Sequence, residues 1–226
     1  MDHTAGAPVR LAGRTLAEKR HVCAFFNSRE EQNKVIIPFL NEGLARGEKI
    51  LRIMDPHQRD AYLSEYQTGG IDVPAALQSG QLDIRHWHET YLSNGRFDVE
   101  SMLKLLKEGL DLNREKYGLT RAVGNMEWAL EPAAGVTGVT DIVEYEARLN
   151  QVVDQYPDPL VCVYDLNRYS GSVVMDILRT HPMVIVGGVL QENPLYVPPE
   201  EFLQELRQRE CDRHGPSTPT GLQHVH

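Results

Sequence analysis

The feature that most constrains this chain is an alternation. Six short apolar runs, His21–Phe26, Lys49–Met54, Leu82–His86, Ala122–Trp128, Leu160–Tyr164 and Met183–Val189, have the length of strands, and several are rich in β-branched residues. They are nearly continuous in hydrophobicity, as strands covered on both faces are. Between them lie longer segments whose apolar residues recur at helical spacing. Repeated βα order brings successive strands parallel, because the intervening helix carries the chain back across a sheet face. The sequence therefore predicts an α/β fold of three layers, a mainly parallel central sheet with helices on both sides.

The first unit carries the clearest local signals. Ser28 and Glu31 have the spacing of a capping box, and Ile36, Phe39, Leu40, Gly43 and Leu44 then share one helical face. Gly47 is placed to end the helix in a left-handed conformation, and Pro38 should kink it. A second helix is expected over Val99–Lys116, with Met102, Leu103, Leu106, Leu110 and Leu112 buried, and a third over Thr140–Gln155, with Ile142, Tyr145, Leu149, Val152 and Val153 inward. Residues 1–18 have weak periodicity and read as an N-terminal extension, 19–210 as the folded domain, and 211–226, rich in Gly, Pro, Ser, Thr and His, as a mobile tail.

Composition narrows the function. The 226 residues are 41% hydrophobic and 24% charged, enough to build one sizeable core. With 23 basic against 32 acidic residues the net charge is -9, which argues against a surface that neutralises nucleic-acid phosphates. Three cysteines make no disulfide framework, no apolar stretch reaches membrane-spanning length, and the first twenty residues lack a signal peptide's apolar core. The expectation is a cytoplasmic protein with no membrane or direct nucleic-acid partner.

In an open parallel sheet, ligands sit outside the carboxyl ends of the strands. That rule nominates Phe26, Asp55, His86, His88, Glu127, Trp128, Tyr164 and Asp165. The first βα junction is where a phosphate-binding loop would lie, yet the chain passes from Phe26 through Asn27 to Ser28 without a glycine, and Lys34 is too far into the helix for the usual lysine role. Gly187-Gly188 is explained as well by a bulge or a close backbone approach. No Gly-x-Ser-x-Gly elbow supports a hydrolase.

Individual residues admit a functional and a structural reading. His21 and Cys23 share one strand face, as do Cys162 and Tyr164, so the two pairs could meet around a ligand, metal or redox centre; buried cysteines are also ordinary small hydrophobes, and the spacing matches no closed zinc pattern. His86 and His88 lack a third donor unless Glu89 supplies one. Phe26, Tyr91, Trp128 and Tyr164 suit either an apolar pocket or the core. Glu127, a carboxylate in an apolar run, must be paired, protonated or functional. Of Glu144 and Glu146, two apart on a helix, at most one points inward, and Arg148 is placed to pair with Glu144. His181, at a helix end, suits a capping role or a ligand contact.

Several collinear blocks resemble one family. His21-Val22-Cys23-Ala24-Phe25, Pro38-Phe39-Leu40 with Gly43-Leu44 and Gly47-Glu48, Met54-Asp55-Pro56, Ser79-Gly80-Gln81-Leu82, Glu89-Thr90-Tyr91 and Gly95-Arg96-Phe97-Asp98 are followed by Glu144 to Asn150, Cys162 to Asp165 and Arg179-Thr180-His181-Pro182. Together they are similar to the MEDS domain, the sensory domain of the DcmR type, over about residues 20–197. The resemblance implies a RecA-like fold related to circadian-clock ATPases, used without catalysis to bind a small organic ligand, a hydrocarbon derivative, and to signal to a regulatory partner of kinase or transcription-factor type. It implies a ligand site drawn from His21, Cys23, Phe26, Asp55, Tyr91, Glu127, Trp128, Cys162, Tyr164 and His181, with no metal or other cofactor and a possible homo-oligomer. One departure stands out: Asn125-Met126-Glu127-Trp128 places its acid two residues later than the family pattern. After Arg209 only a short tail remains, so a sensor without an output segment is expected. The alternative is a divergent nucleotide-binding ATPase or transferase using Asp55 and Glu127.

Overall fold

A computed structural model of the chain describes residues 8–93, 95–130 and 139–214. A hairpin, β1 (Val9–Leu11) and β2 (Arg14–Leu16), precedes β3 (His21–Phe26), α1 (Arg29–Ala45), β4 (Lys49–Met54), α2 (Arg59–Thr68), α3 (Val73–Gln78) and β5 (Leu82–His86). Then come α4 (Val99–Tyr117), β6 (Thr120–Asn125), α5 (Val139–Val153), β7 (Leu160–Asp165), α6 (Gly171–Thr180), β8 (Met183–Val186), β9 (Val189–Glu192) and α7 (Pro199–His214). The seven-stranded sheet has the order β5-β4-β6-β7-β3-β8-β9, parallel throughout except for β9. Its two faces carry separate cores. Val22, Ala24 and Phe26 pack with α1, α2, α3 and the hairpin, while Cys23, Phe25, Cys162 and Tyr164 pack with α4, α5, α6 and α7.

Most local expectations are met, and the differences have physical reasons. Ser28 Oγ accepts from Glu31 N at 3.2 Å, but Glu31 reaches back to the Asn27 N–H rather than to Ser28, so the box is shifted by one residue. Gly47 ends α1 with φ +78°. The apolar run at Met126–Trp128 leaves the strand at Asn125 and enters a 3-10 turn; its hydrophobicity reflects core burial rather than sheet pairing. Gly187 and Gly188, at φ +58° and +74°, form the two-residue turn that splits Met183–Val189 and sends β9 back antiparallel, as a primed turn requires. Leu112 is 74% exposed, on the outer face of α4.

The amino-terminal segment is not merely an extension. Val9, Leu11 and Leu16 are buried, Arg10 N donates to Glu42 at 3.2 Å, and Arg46 donates to the Pro8 carbonyl at 3.0 Å, so the hairpin is fastened to α1. Two three-residue strands are too short for periodicity to reveal. At the other end α7 includes residues 211–214 of the expected tail, and the rest of that tail lies outside the described residues.

A buried arginine ties α1 to the sheet. Arg121 on β6 donates through Nε to Glu48 at 2.5 Å and through Nη1 to the Phe39 carbonyl at 2.7 Å and Glu42 at 3.0 Å. Replacing it by alanine removes Glu48's closest cation and the bond that ties the Phe39 carbonyl of α1 to the sheet. Urea unfolding of Arg121→Ala should show a loss of about 3–5 kcal/mol; a loss below about 1 kcal/mol would contradict this role.

Candidate functional site

Two polar features stand out from the apolar layers, and Tyr164 belongs to both. The first is a crevice outside the carboxyl ends of β3, β4, β6 and β7, where the strand connections diverge to opposite faces. It is small, about 190 Å³, and its wall includes Phe26, Arg29, Asn125, Glu127, Tyr164 and Arg168. Behind it a buried relay orders the floor: Arg52 donates to Tyr66 OH at 2.7 Å and to Asn125 Oδ1 at 2.5 Å, and Asn125 Nδ2 donates to Tyr62 OH at 3.1 Å. Burial pushes the Glu127 carboxyl above its usual range, against its own backbone N–H, the Asn125 amide and the charges of Arg168 and Arg52.

The second feature is a closed cluster between the sheet and α5. Glu146 Oε2 lies 3.2 Å from His21 Nε2, 3.3 Å from His181 Nε2 and 3.6 Å from Cys162 Sγ, and all four residues are buried. Cys162 Sγ is 3.5 Å from His21 Nε2, and Tyr164 donates its hydroxyl to Glu146 Oε1 at 2.5 Å. These residues come from β3, α5, β7 and the α6–β8 junction. The register that sets Cys23 beside Cys162 and Phe25 beside Tyr164 puts the His21 and Cys162 side chains on the same face as α5. Burial disfavours the Glu146 anion, but His181 and then His21 outweigh it and hold the carboxyl well below its ordinary range. Burial, and then the Glu146 charge, push the Cys162 thiol far up, so it is protonated in this arrangement. Burial and His21 push His181 below the usual histidine value against the pull of Glu146.

The sequence profile of one family, described as MEDS: MEthanogen/methylotroph, DcmR Sensory domain, matches residues 20–182. The chain belongs to the MEDS family. It is also 26% identical over 176 residues to the transcriptional repressor DcmR of Methylorubrum extorquens (strain DSM 6343 / CIP 106787 / DM4), a match that covers 77% of this chain and 63% of the relative. Among the described residues no helix is long and apolar enough to cross a membrane.

Within this MEDS domain the nominated residues separate into groups. His21, Cys162, Tyr164 and His181 converge on Glu146, and Cys23, beside them, gives its thiol to the Met183 carbonyl at 3.6 Å. Phe26, Glu127 and Tyr164 line the crevice. Tyr91 and Trp128 stack at 4.5 Å in an aromatic cluster with Phe97 and Tyr145. Asp55 accepts from His57 N at 2.9 Å, capping the 3-10 turn after β4, and is not among the crevice residues. Of the two readings of His181 the capping one is seen, with Nδ1 at 2.8 Å from the Ile177 carbonyl, while Nε2 faces Glu146. Glu146 is the inward member of its pair, and Glu144 pairs with Arg148 at 3.4 Å.

The main omissions were Glu146 and Asn150. Both fall on the stripe of Ile142, Tyr145, Leu149 and Val153, so a carboxylate within an apolar helical face was the available signal. The departure at Asn125 also has an outcome: Glu127 leaves the strand for a turn, and both residues border the crevice.

Glu127 supplies a pH test. Its raised folded-state pKa means that the folded chain binds more protons than the unfolded one above about pH 4.3, so the residue weakens the fold as pH rises through that range. Glu127→Gln should therefore raise Tm at pH 7, by about 2–4 °C for each kcal/mol recovered, and the gain should vanish toward pH 4. A gain independent of pH, or a loss at pH 7, would contradict the assignment.

Proposed function

We propose that this MEDS domain is a non-catalytic sensory unit in transcriptional or signal-transduction control. A small hydrocarbon derivative bearing a polar group binds the strand-end crevice, and a regulatory partner reads the result. The observation that carries the reading is Tyr164, which stands in the crevice wall and also donates its hydroxyl to the buried Glu146. A ligand seated at the end of β7 therefore bears on a residue tied to α5, and it shifts a conformational equilibrium to the extent that it prefers one arrangement. The relative's description as a transcriptional repressor supports the regulatory setting, and the match covers 63% of that protein.

Size and polarity favour a compact ligand. Sites for drug-sized ligands enclose roughly 300–1,000 Å³; this crevice offers about 190 Å³. Its wall is mostly polar, so the ligand carries an oxygen or another polar substituent that Arg168, Asn125 or Glu127 can meet. The scaffold is read as RecA-like because β3, whose following turn would carry a phosphate loop, lies inside a parallel sheet between β7 and β8. That turn is Asn27-Ser28, and Lys34 is paired with Glu30 at 2.8 Å on the surface. The ATPase alternative gains nothing from Asp55, whose carboxylate is engaged with His57 N.

Calorimetry and thermal-shift measurements on the full chain, with a panel of small alcohols, carboxylic acids and halogenated hydrocarbons beside magnesium ATP, test this proposal. At least one panel member should bind one-to-one and raise Tm by about 5–10 °C at a hundredfold excess over its Kd, with at least tenfold weaker binding in Arg168→Ala. One-to-one binding of magnesium ATP with no response to the panel would overturn it.

A further inference from the structure

We infer that His21, Glu146, Cys162 and His181 form a closed site for one divalent transition-metal ion, with zinc the best fit. Four of the six donor separations are those of a tetrahedron. Zinc bonds of about 2.0–2.1 Å to nitrogen and oxygen and about 2.3 Å to sulfur give N···O edges of about 3.3 Å and S···N or S···O edges of about 3.6 Å. The observed edges are 3.2 and 3.3 Å from the Glu146 oxygen to the two imidazoles, and 3.5 and 3.6 Å from Cys162 Sγ to His21 and Glu146. All four donor atoms lie within 4.8 Å of one another.

The protons are arranged for a metal as well. Asn150 Nδ2 donates to the carbonyls of Thr180 at 2.7 Å, Glu146 at 3.1 Å and Ala147 at 3.3 Å, which leaves Oδ1 to accept from His21 Nδ1 at 2.9 Å. His21 thus carries a proton on Nδ1. His181 does the same, because Nδ1 faces the Ile177 carbonyl at 2.8 Å. With Nδ1 engaged, each ring turns its Nε2 toward the same carboxylate oxygen, and His181 Nε2, fully buried, has no hydrogen-bond partner among the described residues. A cation bound there takes all four donor atoms, and any proton on either Nε2 leaves to solvent. The outer shell is also complete: Asn150 and the Ile177 carbonyl hold the imidazoles, and Tyr164 holds the second carboxylate oxygen.

Charge balance selects the ion. On binding, the Cys162 S–H bond breaks and its proton leaves to solvent, so one thiolate, one carboxylate and two neutral imidazoles cancel a 2+ charge in an interior that does not tolerate a net one. A monovalent ion would leave an uncompensated negative charge, and a hard ion such as magnesium or calcium prefers six or more oxygens. Four protein donors leave no open position, the hallmark of a structural site. The ligands come from four separate elements, so no local spacing in the sequence announces them.

Metal analysis and cobalt(II) spectroscopy on the full chain test the inference. After zinc loading and desalting, the protein should retain one equivalent per chain, and the cobalt form should show tetrahedral ligand-field bands with a thiolate charge-transfer band. That band should vanish in Cys162→Ser and persist in Cys23→Ser and Cys211→Ser, whose sulfurs lie outside the donor set. Tyr164→Phe, which keeps all four donors, should weaken zinc binding about 10–100-fold. Retention below a tenth of an equivalent in the wild-type chain, which requires no variant to fold, would overturn the inference. So would a thiolate band that survives in Cys162→Ser.

Discussion

The fold is organised around a carboxylate that has no business being buried alone. Isolated from water and unpaired, a charge such as that of Glu146 costs several kcal/mol. It is tolerated because β3 and the α6–β8 junction each deliver one polar partner to it and β7 delivers two. The requirement runs both ways. The β3–β7 register has to place His21 and Cys162 on the α5 side, and α5 has to turn the face that carries both Glu146 and Asn150 toward the sheet. A one-residue slip in either strand would send its side chains into the opposite core. The cluster therefore specifies how the layers are seated, which apolar packing alone leaves loosely determined.

The crevice and the cluster are two ends of one arrangement. The crevice is open and polar at the strand ends, where a scaffold of this kind presents its loops and the first turn of α1. The cluster is closed and lies toward the start of β3. Tyr164 joins them: the residue borders the crevice, and its fully buried side chain places the hydroxyl on Glu146. The aromatic group of Tyr91, Phe97, Trp128 and Tyr145 fills the space beside them and gives α5 a rigid apolar bed. On the proposed sensory reading, binding at one end is transmitted by a single hydroxyl to a residue that positions a whole helix.

Much of the architecture could be read from the residues. Strands β3, β4 and β5 and helices α1, α4 and α5 were legible because each has a long stretch of one period, bounded by Ser28, Gly47, Gly118 or Pro157. The hairpin at residues 9–16 was not, since three-residue strands carry no periodicity and their stability comes from contact with α1. The site was half legible. His21, Cys162, Tyr164 and His181 could be singled out as polar residues in apolar runs, but no sequence pattern brings together residues 141 positions apart. Asp55 was misplaced because strand-end position says nothing about the turn that follows, where the carboxylate is needed as a cap. Tyr91 and Trp128 went to the core because aromatic residues serve packing as readily as binding.

The central claim is that the outer partners hold a proton on Nδ1 of both imidazoles, so that both Nε2 atoms and a carboxylate oxygen meet at one point. Long-range proton–nitrogen correlation NMR on histidine-labelled protein at neutral pH reads this directly. The account predicts that the His21 and His181 rings each carry a proton on Nδ1. A ring that carries its only proton on Nε2 would contradict it.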